Sequence, residues 1–149
     1  MGSKRLEGKV ALVSGAGQRG NVVGTGRASA VLFAQAGAKV CLVDWNEESA
    51  VETQSIIESD GGTAFVKQAD VTTDQGCATV VAACVKAYGS LDIVLNNVGG
   101  PGSGDVTEIT EELWEESLDR NLKSAAFVSK YAVPAMAATG GGSIIHVAS

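Results

Sequence analysis

Proline, histidine and aromatic residues are scarce in this chain, which has 2 prolines, 1 histidine and only 5% phenylalanine, tryptophan and tyrosine among its 149 residues. So little proline excludes a stiff, extended linker. The cysteines, Cys41, Cys77 and Cys84, have neither metal-ligand nor redox spacing, so no metal site is expected and they read as small core residues. His146 lies inside an apolar run and reads as a packed, hydrogen-bonded imidazole rather than a base. Basic residues are also few, with 11 Lys and Arg against 17 Asp and Glu and a formal charge of -6. That balance argues against nucleic acid or an acidic membrane as partner. No apolar run reaches the roughly 18 residues of a membrane span. With no signal peptide visible, a cytoplasmic location is expected.

What is present is an apolar content of 45% with 19% charged residues. This suits one globular domain that buries roughly two thirds of its unfolded surface. The most informative stretch runs from Val10 to Asp44. Val10-Ala11-Leu12-Val13 fits a short buried strand, broken by Ser14-Gly15-Ala16-Gly17, whose glycines can take positive φ and let backbone approach a ligand. Gly24-Thr25-Gly26 then opens a helix over Arg27–Ala36, with Ala28, Val31, Leu32 and Gln35 on helical spacing and Gly37 as its stop. Lys39 to Val43 gives a second strand ending on Asp44. An acid about 20 residues past a glycine turn is where a dinucleotide-binding βαβ unit holds a ribose hydroxyl, with the diphosphate on the helix N-terminus. The glycines admit two readings. Gly15, Gly17 and Gly20 match the Gly-x-Gly-x-x-Gly spacing literally, whereas Gly15, Gly24 and Gly26 lie where the helix begins and leave Gln18 to Val23 bulged out. The second reading is preferred, and Gly15, Gly17, Gly24, Thr25 and Gly26 are the candidate diphosphate contacts.

The rest of the chain alternates helix and strand. Asn46 can cap a helix carrying Val51, Ile56 and Ile57, and Thr63 to Gln68 forms a third strand. Asp74 to Tyr88 is a helix with Val80, Val81, Cys84 and Val85, and Leu91 to Leu95 is a fourth strand. A long helix is expected over Glu111 to Ala138, with Leu113, Leu118, Leu122, Ala125, Val128 and Ala132 along one face and Pro134 bending its last turn. Ser143 to Ala148 is a fifth strand. Such alternation predicts an α/β fold, a Rossmann-type doubly wound parallel sheet of order 3-2-1-4-5. The ligand crevice then lies at the switch point, where Gly15–Gly26 faces Asn96–Gly102.

Four segments together resemble the short-chain dehydrogenases/reductases: the glycine loop with Arg27-Ala28, Asp70-Val71, Asn96-Asn97-Val98-Gly99, and Gly142 to Ser149. The resemblance implies that Asp44 binds the adenosine ribose and favours NAD over NADP, since a carboxylate repels a 2′-phosphate. It implies that Asp70 meets the adenine amino group with Val71 beside the ring, that Asn97 and Gly99 line the cofactor, and that Asn96 braces its strand end. Asn121 is similar to the family's long-helix asparagine of the proton relay, and Ser149 aligns with the serine that hydrogen-bonds the substrate oxygen. Arg19, in the enlarged loop, reads as a solvated side chain.

Two departures stand out. The family pattern has Asn-Asn-Ala-Gly where Val98 stands here, and the loop between Gly17 and Gly24 is extended. More consequential is the proton donor, a tyrosine followed four residues later by a lysine. Four positions after Tyr88 and Tyr131 stand Asp92 and Ala135. Residues 1–149 therefore read as a single dinucleotide-binding domain, incomplete at its C-terminus relative to the family. The expected function is hydride transfer between NAD and a small alcohol or carbonyl substrate, with catalysis needing sequence beyond residue 149 and the 149-residue chain alone inactive. The alternatives are a non-catalytic dinucleotide-binding module and an inactive fragment. A homo-oligomer is expected, because the long helix resembles the one used in family dimers.

Overall fold

Five parallel strands carry the fold in the computed structural model, which describes residues 4–18, 20, 22–102 and 104–148. In chain order the elements are β1 (Val10–Ser14), α1 (Thr25–Gln35), β2 (Lys39–Asp44), α2 (Glu47–Ser59), β3 (Thr63–Gln68), α3 (Asp74–Tyr88), β4 (Ile93–Asn96), α4 (Glu111–Leu118), α5 (Ser124–Ala137) and β5 (Ser143–His146). The sheet order is β3-β2-β1-β4-β5, as the alternation predicts. Leu12 pairs with Cys41 on one side and Val94 on the other, so β1 lies at the centre and the sheet winds outward from it in both directions.

Strand periodicity divides the core in two. Val10 and Leu12 join Cys41, Val43 and Val94 on the face covered by α3 and α5, through Val80, Val81, Cys84, Val128, Ala132 and Met136. Ala11 and Val13 join Val40, Leu42 and Leu95 on the other face, under Ala30, Ala34 and Ile57. Buried on both sides, the central strands are apolar at successive positions, as parallel sheets require.

The outer helices depart from the expected faces. In α1 the buried residues are Gly26, Arg27, Ala30 and Ala34, while Leu32 is 62% exposed. In α2 they are Ala50, Thr53 and Ile57, and Val51 and Ile56 are exposed. Helix α1 meets the sheet through the small residues Gly26, Ala30 and Ala34, whereas α2 buries Ile57 beside Ala50 and Thr53. The third correction concerns the long helix. It is α4 and α5 joined by a π-helical turn at Asp119–Lys123, where the Ser124 amide reaches back to the Asp119 carbonyl. The turn rotates the face of α5 relative to that of α4, so Leu118 and Leu122 are exposed and α5 buries Ser124, Val128, Ala132 and Met136. Side chains occupy the carbonyls that the turn loosens: Asn121 Nδ2 donates to Ser117 O at 3.0 Å and Ser124 Oγ to Arg120 O at 2.7 Å. Pro134 lies in the last turn of α5, close to its end at Ala137. β4 and β5 are also shifted or shortened, to Ile93–Asn96 and Ser143–His146. His146 is exposed instead of packed, with its Nδ1 3.3 Å from Asn96 Nδ2.

All three cysteines are buried and unpaired. Burial is the main cause that pushes the Cys77 thiol up to about 11, with Asp74 and Asp70 adding to it. Cys41 is raised as well, chiefly through its hydrogen bond with Cys84. A thiolate is the reactive form. Iodoacetamide at neutral pH, read by peptide mass mapping, is therefore expected to leave these three unlabelled in the native protein and to label them in denaturant. Rapid native labelling of Cys77 would contradict its place on the buried face of α3.

Candidate functional site

A cavity of about 1010 Å³ opens at the C-terminal ends of β1, β2 and β4, where the sheet order reverses. Its floor is the glycine loop. Gly15 has φ +66°, a left-handed conformation that favours glycine. Asn97 fastens this loop to β4: its backbone N–H donates to Ser14 Oγ at 3.1 Å and its Nδ2 to Gly15 O at 3.2 Å. Helix α1 begins directly over the loop. A Cβ on Gly26 would run into the Gly15 carbonyl oxygen, so only glycine permits this crossing. The N-cap Gly24 offers no side-chain acceptor to the first amides of α1. Those N–H groups and the positive end of the helix dipole suit an anion.

Gly17 has a different role from its neighbours. Its N–H donates to Asp44 Oδ2 at 2.8 Å, and a Cβ there would stand 2.9 Å from that oxygen and 2.8 Å from Ser49 Oγ. The amide is thus engaged by the carboxylate rather than turned to a ligand. Asp44, the last residue of β2, also accepts the Asn46 N–H on Oδ1 at 3.0 Å. Each of its oxygens keeps acceptor capacity for a hydroxyl while two backbone amides fix the carboxylate in place. On the next strand end, Asp70 Oδ1 accepts from both Thr72 N and Thr72 Oγ1, and Val71 is buried against α3.

Across the cavity, Asn121 grips the loop after β4. Its Oδ1 accepts the Gly100 N–H at 3.0 Å and its Nδ2 donates to Gly100 O at 3.1 Å. A Cβ on Gly99 would lie 2.8 Å from that Oδ1, which explains a glycine there. The cavity brings together Gly15, Gly17, Gly24, Gly26, Asp44, Asp70, Val71, Asn97 and Gly99. Thr25 and Asn121 do not line it. Ser149 and Arg19 lie outside the described residues. Among the described residues no group of three His, Cys, Asp or Glu side chains could hold a metal ion.

The glycine cradle, the uncapped helix start and the anchored acid fit the diphosphate and adenosine ribose of a dinucleotide. The family model for short chain dehydrogenase matches residues 9–149. The chain belongs to the short-chain dehydrogenase/reductase family. An uncharacterized oxidoreductase of Thermotoga maritima is 40% identical over 144 residues, which cover 97% of this chain and 55% of that protein. A putative short-chain dehydrogenase/reductase from Burkholderia xenovorans, solved by crystallography, superposes with TM-score 0.93 and 41% identity over 97% of this chain and 57% of that one. A 7α-hydroxysteroid dehydrogenase complexed with NADH and 7-oxo glycochenodeoxycholic acid superposes with TM-score 0.90 at 31% identity, covering 99% of this chain and 55% of that one. The chain thus spans about half the length of the short-chain dehydrogenases it matches.

Sequence reading missed several residues of this short-chain dehydrogenase site. Trp45, 69% exposed, lines the cavity beside Asp44, and Arg120 lines it beside Asn121. The adjacency of each to a motif residue was the available signal. Arg27, named in the sequence only as part of the glycine-loop segment, forms with Ser49 and Thr53 a clasp under that loop, and no spacing along the chain is a cue to it because Arg27 and its partners belong to different helices.

Proposed function

We propose that the protein is an NAD-dependent oxidoreductase that moves hydride between the nicotinamide and a small alcohol or carbonyl substrate. The observation that carries this reading is Asp44, fixed by two backbone amides at the rim of the glycine cradle. Its carboxylate accepts the adenosine ribose hydroxyls and repels a 2′-phosphate, while Gly15, Gly24 and Gly26 admit the diphosphate to the start of α1. Asp70 and Val71 border the adenine. Asn97 and Gly99 orient the nicotinamide half, with Asn121 holding the Gly100 backbone and a relay water. Bound NAD supplies the hydride acceptor, and Ser149 hydrogen-bonds the substrate oxygen. The NADH found with the similar 7α-hydroxysteroid dehydrogenase supports the cofactor class.

Proton transfer needs a tyrosine and lysine beyond residue 149. Neither tyrosine within residues 1–149 suits the task. Tyr88 is pushed up to about 12, mainly by burial, and packs edge-on against Phe65 at 5.3 Å. The Tyr131 hydroxyl donates to Asp74 at 2.8 Å, between α3 and α5. Residues 1–149 alone are therefore inactive, since loss of a general acid/base costs about 10²- to 10⁴-fold. The intact protein is a cytoplasmic homo-oligomer built on the long helix, where Val133 stays exposed on α5.

Fluorescence titration of the intact protein with NADH and NADPH tests the reading. NADH is expected to bind more tightly, and Asp44→Ala is expected to abolish the difference by removing the repulsion and the ribose acceptor together. Equal affinities before mutation would remove Asp44 from cofactor selection.

A further inference from the structure

Arg120 occupies the second position of the π turn and lines the cavity beside Val98 and Gly99. Its surroundings set it apart from the other cations nearby. Lys123 pairs with Asp119 at 2.6 Å, and Lys130 with Asp74 at 2.7 Å. No hydrogen bond or ion pair among the described residues engages the half-buried Arg120 guanidinium. The other charged side chains that the described residues bring to this wall, Asp44 and Asp70, are both acids. A guanidinium taken partly out of water without a partner is stabilised by an anion that arrives.

The geometry narrows which anion. Arg120 precedes Asn121, which holds Gly100 on both sides, and on the same β4 loop Asn97 holds Gly15. Two short hydrogen-bonded links thus couple the Arg120 segment to the glycine loop, where the first amides of α1 lack a side-chain acceptor. Arg120 and the glycine loop line one cavity, so an anion bound in it is open to amides and guanidinium alike. A diphosphate presents paired oxygens on adjacent phosphorus atoms, which suits both the row of amides and the planar fork of arginine.

We propose that Arg120 is the cationic wall of the diphosphate subsite, opposite the glycine loop, and sets cofactor affinity through charge. This rests on the dinucleotide reading above. The π turn supplies the position: an extra residue in the helical turn directs Arg120 to the cavity while Asn121 remains on the Gly100 backbone.

Calorimetric titration of the intact protein with ADP-ribose and with adenosine, at low and high salt, tests this. Arg120→Gln should weaken ADP-ribose about 10- to 100-fold, the range for hydrogen bonds to charged groups, and leave adenosine unchanged. Its ADP-ribose affinity should also depend less on salt, and Arg120→Lys should recover part of the loss. Unchanged ADP-ribose binding in Arg120→Gln, or equal losses for both ligands, would overturn the assignment. So would a loss confined to the KM of the substrate, which would place Arg120 on a substrate carboxylate. If the unmodified protein binds neither ligand, the dinucleotide reading itself falls and takes this role with it. Binding by the unmodified protein that Arg120→Gln leaves intact removes Arg120 alone.

Discussion

Gly26→Ala is expected to abolish dinucleotide binding and lower stability by about 3 kcal/mol, the upper range for forcing extra volume into a packed site. The added methyl would run into the Gly15 carbonyl oxygen and within 2.6 Å of Asn97 Nδ2. The Gly15 oxygen is backbone and cannot swing aside, whereas Asn97 Nδ2 is the end of a side chain that the same oxygen holds. The Gly15 oxygen belongs to a loop held by Asn97, and Asn97 is held in turn by Ser14 Oγ. Relief therefore requires α1 to lift off the loop, which moves the helix amides from the place where a diphosphate would meet them. Gly24→Ala is the informative comparison. Among the described residues a Cβ there meets only Gly17 O, at 3.8 Å, so the fold accepts it, and Gly24 lines the cavity. Thermal melting should fall for Gly26→Ala, by about 2–4 °C per kcal/mol in a domain of this size, and stay near the parent value for Gly24→Ala. ADP-ribose titration should show loss of binding in both. A Gly26→Ala protein with parental melting and affinity would show that α1 and the loop are not pressed together as described.

The sheet order and the crevice at its reversal were legible because they follow from alternation and handedness, which local sequence carries. Val10–Ser14 and Lys39–Asp44 are apolar on both faces, and that pattern marks a central parallel strand wherever it occurs. The acid at the end of β2 was legible for the same reason, being tied to the strand that precedes it. Helix faces were less legible. In α1 the sheet is met by Gly26, Ala30 and Ala34, so size and not hydropathy chose the buried side, and Leu32 was left in solvent. The break between α4 and α5 has no sequence signal of its own. It depends on Asn121 and Ser124 occupying the Ser117 and Arg120 carbonyls, and polar residues in a helix usually mean only an exposed position. His146 was misplaced because an apolar run says nothing about which neighbours cover it.

Arg27→Met is expected to cost about 2–4 kcal/mol, because it strips several buried acceptors of their donor at once. Arg27 is 7% exposed and all three of its guanidinium nitrogens donate: Nε to Thr53 Oγ1 at 3.0 Å, Nη1 to Gln18 Oε1 at 2.8 Å, and Nη2 to Ser49 O at 3.0 Å and Glu52 Oε2 at 2.8 Å. Methionine replaces the aliphatic stem and none of the donors. Thr53 Oγ1 would keep its bond to Ala16 O, but the Gln18 side chain would lose its tether to α1. The glycine loop between Ala16 and Gln18 should then sample more conformations, and ADP-ribose affinity should fall several-fold with it. Glu52→Gln separates charge from wiring. The Glu52 side chain is 67% exposed, and an ion pair so open to water contributes about 0–1 kcal/mol. If the clasp works through its buried hydrogen bonds, Glu52→Gln should melt within a few degrees of the parent while Arg27→Met falls well below it. Equal losses in the two variants would mean that the ion pair, and not the bonds to Thr53, Ser49 and Gln18, holds α1 to α2.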